Sequence, residues 1–549
     1  MISSRSLPLF TRPPLFQVLL FHLAILFVAH PLVLSAGAPS TPRKAASTKA
    51  AEVQGSESEK LTARPSKKDE TSAEQNTERY FESIRGNPAL LLAFLREMPK
   101  GGDLHNHLWG AIYAESFISY AARDGLCIDR KTSTLLKPPC DEAAGRSEAS
   151  TALQDQGLYS QLVDAFSMRN WNGARLESGH DHFFAAFDKF DTAAQGHVGE
   201  MLAEAVARAA KDHVAYLELM HGTDRYQSVG LGSKLGWDDN FAKVRDKLLA
   251  NGMKEIVASG RQTLDQDEAK MREVLRCGMP QGDAGCRVTV RYLYQVLRGL
   301  KPEQVFAQMV AGFEMAQADP RIVGINLVMP EDWYVPMHDF ELHMRMMDYL
   351  HGVYPTVHIS LHAGELAMGL VPPEGLRFHI RESVERGHAE RIGHGVSVMY
   401  ESDPLGLLHE LAERGVLVEI CLTSNDVILG LSGARHPLAI YRKYGVPVAL
   451  ATDDEGVSRS DMTQEYMRAV TEQGLSYIDL KQMARASLAH SFLPGASLWD
   501  GANRVAACKD GDPLANSVTE DCNRFLLGSE KARLQWREEA EFERFERKY

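Results

Sequence analysis

Histidine and carboxylate residues directly follow apolar runs at widely separated places in the chain. The first run ends in Asp103–His107, where alternate side chains of an extended strand point the same way. His105 and His107 can therefore reach one ion, and His362 and Asp453 follow two later runs. Three imidazoles and one carboxylate suit a single zinc ion that keeps an open position for a reactive water. Iron, cobalt and manganese stay open as alternatives.

Three more titratable residues stand beside these candidate ligands. Glu365 follows His362 closely and could stay protonated in a partly desolvated site, where it would donate to a substrate ring nitrogen. The alternative is that Glu365 forms a salt bridge within a loop. His394 lies between two glycines and could orient the attacking water or accept its proton, unless it only caps a helix. Asp454 is better placed to bind a substrate N–H or ring nitrogen. Together these residues predict a hydrolytic metal site.

Short apolar runs alternate along the chain with segments of helical spacing, for example Pro302–Ala318 and Pro404–Arg414. This alternation predicts parallel strands covered by helices, in a (β/α)8 barrel or a doubly wound open sheet. The C-terminal strand ends of a barrel converge on one mouth, so site residues placed after the runs favour the barrel. The predicted strands are Met98–Leu104, Val214–Met220, Val288–Val296, Ile322–Val328, Val357–Leu361, Arg391–Gly393, Leu417–Leu422 and Val448–Ala451.

Two N-terminal segments precede the predicted barrel domain, which we place at residues 79–549. Residues 1–36 combine arginines, the apolar stretch Leu15–Leu34 and small residues, which is the order of a secretory signal peptide. A retained membrane anchor is the alternative, because the stretch nearly reaches spanning length. Residues 37–78 hold almost no large apolar side chains and predict a flexible leader. The protein is therefore expected to be secreted or periplasmic.

The spacing of the cysteines agrees with export. Six of the seven cysteines form near pairs around short loops, which predicts disulfides, although free thiols are the alternative because spacing does not prove connectivity. Cys421, inside an apolar run, is predicted to be a buried strand residue. The predicted pairs are Cys127 with Cys140, Cys277 with Cys286, and Cys508 with Cys522.

Further segments exceed a minimal barrel. Residues of about 122–180 are predicted to form an insertion after the first strand, either a lid or an interaction surface. The charged run Lys531–Tyr549 predicts a solvated helix. Helices near residues 80–97 could pair in a homodimer or close the barrel floor.

The charge pattern indicates the kind of partner. The net charge of −13, without a Lys/Arg block combined with aromatic residues, argues against a nucleic-acid partner. Beyond the N-terminal stretch no apolar run approaches the length of a bilayer span, so no stable anchor is expected after signal cleavage. The expected partner is a small molecule.

Five segments share their order and spacing with a known family. They are Met98–His107, His362–Glu365, Cys421–Asn425, His436–Pro437 and Thr452–Asp454. Together they resemble the adenosine/AMP deaminase family of amidohydrolases, and the exported chain is most similar to the adenosine deaminase-related growth factor branch. The resemblance implies a zinc-dependent (β/α)8 barrel that replaces an exocyclic purine amine by oxygen.

The resemblance also implies roles for individual residues, with one zinc ion per chain. Glu365 would protonate the purine nitrogen beside the attacked carbon. His394 would hold the attacking water, and Asp454 would bind the imidazole part of the purine. The implied zinc ligands are His105, His107, His362 and Asp453.

Two departures from the family pattern concern substrate contacts. Trp109 replaces an aspartate that reaches the ribose in cytosolic members, and Met329 replaces a glycine that lines the purine pocket. Glu331, Asp332 or a residue of the insertion could supply the sugar contact instead. The residues predicted to bind substrate are therefore Asp454, Trp109, Met329 and Glu331.

The expected activity is hydrolytic deamination of adenosine or 2′-deoxyadenosine to the inosine form, using a zinc-activated water and releasing ammonia. One alternative is another adenine-bearing substrate, such as adenine or a 5′-modified nucleoside. A second alternative is a non-catalytic, extracellular growth-factor-like protein. A nucleotide is not favoured, because no basic cluster adjoins the motifs to bind a phosphate.

Overall fold

Eight parallel strands form the centre of the computed structural model, which describes residues 67–172 and 177–549. Neighbouring strands pair in chain order. Asp453, after the last strand, accepts a backbone hydrogen bond from His107 (3.1 Å) and donates one to His105 (2.9 Å). The sheet thus closes into the predicted (β/α)8 barrel. The strands are β1 Gly102–His107, β2 Tyr216–His221, β3 Thr289–Leu297, β4 Ile322–Val328, β5 His358–Ala363, β6 Arg391–His394, β7 Leu417–Ile420 and β8 Val448–Leu450.

One ion-pair network lies inside the barrel. Arg391, at the start of β6, donates to Glu218 Oε2 on β2 (2.5 Å) and to Glu419 Oε1 on β7 (2.6 Å). All three side chains are fully buried. Burial of these charges is possible because each is paired and hydrogen-bonded. The network fixes Glu419 next to the residues of the candidate site.

Helices cover the outside of the barrel. Pro302–Ala318 begins with a proline, whose missing N–H costs no helical bond there, and buries most of its apolar side chains. The α-helices are Lys67–Ile84, Pro88–Glu97, Ala114–Arg123, Gln156–Ala165, Gly179–Ala194, Val198–Lys211, Gln227–Leu235, Phe241–Leu248, Lys254–Val274, Pro302–Ala318, Tyr334–His338, Phe340–Val353, His379–Glu385, Pro404–Arg414, Leu422–Leu429, Leu438–Lys443, Glu455–Ser458, Met462–Thr471, Tyr477–Ala489, Glu520–Gly528 and Glu530–Glu546.

The predicted insertion lies between β1 and β2 and contains a small antiparallel sheet. The backbone N–H of Met168 donates to the carbonyl of Val457, just after β8 (2.8 Å). A Cβ on Gly179 would collide with the carbonyl oxygen of Val427, in the helix after β7, so the two segments are in close contact. The insertion therefore packs against the loops of the barrel mouth. Its strands are Cys127–Asp129, Thr134–Leu136 and Arg146–Glu148.

The helix Lys67–Ile84 begins inside the segment predicted to be a flexible leader, residues 37–78. Thr77 on this helix is fully buried, and Glu74 accepts a hydrogen bond from Lys481 (2.6 Å). The described residues, from 67 onward, belong to one compact unit. A polar helix held by one buried stripe and an ion pair carries few large apolar side chains, so its composition resembles that of a flexible segment.

The predicted signal peptide, residues 1–36, and most of the predicted leader lie outside the described residues. Among the helices that the structure does describe, none has the length and apolar character needed to cross a bilayer.

The C-terminal helix Glu530–Glu546 is largely buried, so the prediction of a solvated helix was wrong. Trp536, Phe542 and Phe545 are almost completely covered. Glu538 accepts a hydrogen bond from the backbone N–H of Gly101, at the start of β1 (2.7 Å). The many charged residues of this segment concealed its apolar face. The helix thus closes the barrel floor rather than extending into solvent.

All three predicted disulfides are present, and Cys421 is a buried free thiol that directly follows β7. We predict that the denatured, unreduced protein titrates one thiol per chain, and seven after reduction. The check is a colorimetric thiol assay in guanidinium chloride. More than one reactive thiol before reduction would contradict the pairing.

Candidate active site

Four side chains meet at the C-terminal mouth of the barrel, where the sequence predicts a metal site. The ligand atoms of His105, His107, His362 and Asp453 all lie within 4.8 Å of one another. His107 Nε2 is 3.1 Å from His362 Nε2, and Asp453 Oδ1 is 3.4 Å from Nε2 of both His105 and His107. Bonds of about 2.0–2.1 Å in a tetrahedron place ligands about 3.3 Å apart. The spacing therefore fits one zinc-sized ion.

Hydrogen bonds on the far side of two histidine rings direct nitrogen lone pairs toward the space between the four candidate ligands. His105 Nδ1 contacts Glu419 Oε2 (2.7 Å), and His362 Nδ1 contacts Asn326 Oδ1 (2.7 Å). Both oxygens accept, so each ring, when neutral, carries its proton on Nδ1 and leaves Nε2 unprotonated. His105 Nε2 is buried and has no hydrogen-bond partner. These features fit a bound cation, which would satisfy the free nitrogens.

A second group of four side chains shares His105 and Asp453 but includes His394 and Cys421. Its potential ligand atoms also lie within 4.8 Å of one another. Burial raises the pKa of the Cys421 thiol well above its usual range. The first set supplies three imidazoles and one carboxylate, which are typical zinc donors, without requiring a thiol to ionise. The set with three imidazoles and one carboxylate is therefore the better candidate for a metal site.

The backbone of the site is strained at two of its functional residues. Asp453 (φ 59°) and His394 (φ 67°) both have left-handed backbone conformations. Such conformations cost on the order of 1–3 kcal/mol and persist where surrounding contacts hold them. A Cβ on Gly393 would lie 2.5 Å from the His105 ring, so only glycine fits before His394. Local strain and close packing together place these side chains.

Glu365 follows β5 and reaches the same mouth. Its Oε1 is buried without a hydrogen-bond partner and lies 3.7 Å from His394 Nε2. Burial, with the charges of Asp453 and Glu331 nearby, raises the pKa of Glu365 well above its usual range. The metal-ligand candidates His105, His107, His362 and Asp453 form what is called here the donor cluster. A neutral carboxylic acid facing this cluster can donate a proton to a bound ring, the behaviour expected of a general acid.

Asp454 also lies in the mouth, with Oδ1 buried and without a partner. Burial and the adjacent Asp453 raise its pKa. A Cβ on Gly110 would collide with this carboxyl group, so the glycine leaves the space that Asp454 occupies. The site thus presents a second unpaired carboxyl group to any ligand that enters.

Glu331 supports the loop behind the site, and both of its carboxylate oxygens are already hydrogen-bonded. One carboxylate oxygen accepts from the backbone N–H of Gly364 (3.0 Å) and from His379, and the other accepts from the N–H of Glu365 (2.8 Å). Burial would raise the pKa of Glu331, but His379 and Arg298 lower it to about 2. In this structure the carboxylate therefore holds the loop that carries Glu365.

Trp109 and Met329, the other predicted substrate contacts, are also engaged with protein groups. Trp109 Nε1 donates to Asp191 Oδ1 (3.1 Å), and its ring stacks on His221 with centroids 5.5 Å apart. Met329 has φ 91°, and its sulfur lies 3.3 Å from the N–H of Gly299. Their roles as substrate contacts stay predictions.

The model of the family described as adenosine deaminase matches residues 164–500. The match covers more than half of the chain. This chain belongs to the adenosine deaminase family. The match begins beyond β1, so His105 and His107 lie outside it, and the geometry of the mouth joins them to His362 and Asp453.

Individual members of the family align over parts of the chain. An adenine deaminase of Sinorhizobium fredii is 29% identical over 222 residues, which are 40% of this chain and 63% of that protein. An adenosine deaminase of Escherichia coli is 37% identical over 151 residues, 27% of this chain and 42% of that protein. Both alignments cover less than two thirds of the relative. An N6-methyl-AMP deaminase from Arabidopsis thaliana superposes with a TM-score of 0.48 and 21% identity, over 73% of this chain and 94% of that one.

Three supporting residues of the site were missed at the level of sequence. Asn326 and Glu419 orient the metal-site histidines, and Arg298 donates to the carbonyl oxygens of His362 (3.2 Å) and Met329 (3.2 Å). Asn326 and Glu419 stand as isolated polar residues inside apolar runs. Because a buried polar residue needs a hydrogen-bond partner, a lone polar residue inside an apolar run could have indicated a supporting role at the site.

Proposed function

We propose that this protein is a zinc-dependent aminohydrolase that converts adenosine or 2′-deoxyadenosine to the inosine form and releases ammonia. The observation that carries the proposal is a set of three buried polar atoms without partners beside the donor cluster. They are Glu365 Oε1, His394 Nε2 and Asp454 Oδ1. Unpaired polar atoms in a buried site are costly unless a ligand satisfies them. An adenine ring and the attacking water together offer hydrogen-bond partners for all three atoms.

The proposed reaction adds water to the ring carbon that bears the exocyclic amine, and the carbon–nitrogen bond then breaks to give ammonia. His105, His107, His362 and Asp453 would hold the zinc ion, which, when bound, lowers the pKa of a water molecule. Glu365 donates its proton to the adjacent ring nitrogen, so that the attacked carbon becomes more electrophilic.

The remaining mouth residues orient the ring and the nucleophile. Asp454 is placed to hydrogen-bond the imidazole half of the purine. His394 Nε2, 3.7 Å from Glu365 Oε1 and 4.0 Å from Asp453 Oδ2, is placed to orient the attacking oxygen. Burial of these groups removes competing water, which strengthens each interaction.

A different adenine-bearing substrate is the alternative, and one observation favours it. Trp109 stands where a ribose-binding aspartate is expected, and its indole N–H is occupied by Asp191. The relatives include proteins named adenine deaminase as well as adenosine deaminase. A free base, or a nucleoside altered at the 5′ position, would not need the missing contact.

The proposal is tested by measuring ammonia release over adenosine, 2′-deoxyadenosine, adenine, AMP and a 5′-modified nucleoside. We expect the highest kcat/KM for adenosine or 2′-deoxyadenosine. A clear preference for adenine would replace the nucleoside by the base, and inactivity on every compound would refute the deaminase proposal. A Glu365→Gln preparation, purified in parallel, controls for a contaminating deaminase.

We also propose that the enzyme works in a secreted or periplasmic setting. Three disulfides in the structure support this, because such bonds persist in oxidising compartments. The basic, apolar and small residues of the first 36 positions support it as well. N-terminal sequencing of the exported protein should give a start near residue 37. An unprocessed N-terminus in a cytoplasmic fraction would contradict the proposal.

A further inference from the structure

Two segments of the family pattern, Cys421–Asn425 and His436–Pro437, have no role in the proposed reaction so far. The structure joins them in one hydrogen-bonded chain. The backbone N–H of Leu438 lies 3.2 Å from His436 Nδ1, His436 Nε2 lies 3.1 Å from Asn425 Oδ1, and Asn425 Nδ2 lies 3.0 Å from His394 Nδ1. His436, Asn425 and His394 are all buried.

We propose that Asn425 and His436 are positioning residues that fix the tautomer of His394, with its proton on Nε2, so that this nitrogen acts as a hydrogen-bond donor in the mouth. The tautomer follows from the hydrogen-bonded chain alone. What the donor acts on rests on the proposed function.

The direction of every bond is set by the first one. A backbone N–H can only donate, so His436 Nδ1 must accept from Leu438 and cannot carry a proton. A neutral His436 then has its proton on Nε2 and donates to the Asn425 oxygen. The amide nitrogen of Asn425 consequently faces His394 Nδ1 and donates to it. His394 accepts at Nδ1, and its own proton is on Nε2.

The reverse arrangement leaves a conflict in a buried place. If the Asn425 amide were rotated, its NH2 group would face His436 Nε2, which would have to be unprotonated. His436 would then carry its proton on Nδ1, directly opposite the Leu438 N–H. Two donors facing each other in a buried position leave both unsatisfied, which costs about 1–3 kcal/mol for each. A doubly protonated His436 meets the same conflict, and burial lowers its pKa to about 4.

The surroundings of His394 Nε2 agree independently with a proton there. The nearest carboxyl oxygens are Glu365 Oε1 at 3.7 Å and Asp453 Oδ2 at 4.0 Å. Asp453 Oδ2 accepts from the Ser424 hydroxyl (2.6 Å), so it presents lone pairs. A protonated Nε2 is attracted to the Asp453 carboxylate, whereas a lone pair on Nε2 would be repelled by it; the neutral Glu365 carboxyl group can face either form.

This tautomer decides between the two roles predicted for His394. A neutral imidazole with its proton on Nε2 can orient an oxygen by donating to it, but it has no lone pair there to accept the proton of the water. Proton uptake in the mouth then falls to the carboxyl group of Glu365, once it has given its own proton to the ring. Asn425 and His436 thereby act on the reaction without touching the substrate.

The direct test is the side-chain ¹⁵N spectrum of the full-length protein, in zinc-loaded and metal-free forms, with the His394 signals assigned by their loss in His394→Gln. We expect a protonated Nε2 and an unprotonated Nδ1 in wild type. Asn425→Asp replaces the amide donor by an acceptor, so the His394 proton should move to Nδ1. A wild-type Nδ1 proton would overturn the proposal, and this reading needs no substrate and does not depend on the proposed function.

Kinetics provide the second test. An isosteric change that imposes the wrong histidine tautomer can cost about 10⁴-fold in kcat, and we expect Asn425→Asp to lower kcat by about 10²- to 10⁴-fold with bound zinc unchanged. Asp426→Asn, which alters the neighbouring charge outside the chain of hydrogen bonds, should leave kcat near wild type. Equal kcat in Asn425→Asp and wild type would overturn the proposal.

A conservative replacement separates the hydrogen bond from simple packing. His436→Gln can still donate to Asn425 through its amide, whereas His436→Leu fills the space without a donor. We expect the glutamine variant to retain kcat within about tenfold and the leucine variant to lose more than that, because a single positioned proton-handling group contributes about 10²- to 10⁴-fold. Melting temperature and zinc content are measured for both. Equal losses at equal stability would contradict the positioning role.

Discussion

Replacing Glu365 by glutamine is expected to lower kcat by about 10²- to 10⁴-fold, the contribution of a general acid, while bound zinc stays at one equivalent. Glutamine keeps the size of the side chain and can donate a hydrogen bond, but it cannot give up a proton. The backbone N–H of Glu365 still binds Glu331, so the loop should hold its position. Steady-state kinetics and metal analysis of the same preparation measure both quantities.

A matched variant shows whether the loss of kcat comes from the change in the barrel mouth. Glu374 lies on the loop that follows the same strand and is exposed, so Glu374→Gln makes the same replacement without touching the site. Its kcat should equal that of wild type. If Glu365→Gln retained full turnover, a proton donor other than Glu365 would have to protonate the ring. If it lost zinc, the carboxyl group would have to belong to the metal site.

The strands and helices that could be predicted are those whose burial is uniform. Ile322–Val328 and Pro302–Ala318 were predicted with the observed bounds, because the strand is apolar except for Asn326 and the helix begins at a proline. The first strand was predicted to begin at Met98 but begins at Gly102. The segment before it belongs to a helix end instead.

Lys100 gives the physical reason for that displacement. Its buried ammonium donates to the carbonyl oxygens of Leu95 (2.6 Å), Met98 (2.9 Å) and Asp212 (2.8 Å). Three donors and three acceptors end the helix Pro88–Glu97 and anchor the turn into β1. A lysine between apolar residues carries no sign in the sequence that distant carbonyl groups surround it.

Some residues of the candidate site could likewise be predicted from the sequence, whereas the roles of others could not. His105, His362 and Asp453 could be found because each stands at or just after the C-terminal end of a strand, which must face the mouth of a barrel. Glu331 was predicted to contact substrate because it stands where the family pattern lines the pocket after the fourth strand; in the structure its carboxylate binds the backbone behind Glu365, and a substrate contact stays a prediction. Position after a strand reveals that a residue is near the mouth. It does not reveal which way the side chain turns, since that depends on partners from other strands.

The last prediction concerns Asp453, the only acidic member of the donor cluster. Asp453→Ala is expected to lower zinc affinity by more than the roughly 10- to 100-fold that follows loss of a supporting residue, because a ligand itself is removed. Zinc bound after dialysis against a metal buffer measures the effect. Alanine at a φ of 59° adds strain of roughly 1–2 kcal/mol, so the melting temperatures of the metal-free forms have to be compared as well.

The neighbouring carboxyl group offers the control that isolates coordination from local charge. Asp454→Asn removes an acidic group one position along the same turn, keeps the side-chain size and leaves Asp453 in place. We expect this variant to retain one equivalent of zinc and to lose turnover, since Asp454 faces the mouth with an unpaired oxygen. A chain that kept its full zinc content in Asp453→Ala and lost it in Asp454→Asn would reverse the two assignments. The pair of variants therefore distinguishes a metal ligand from a substrate contact without reference to the identity of the substrate.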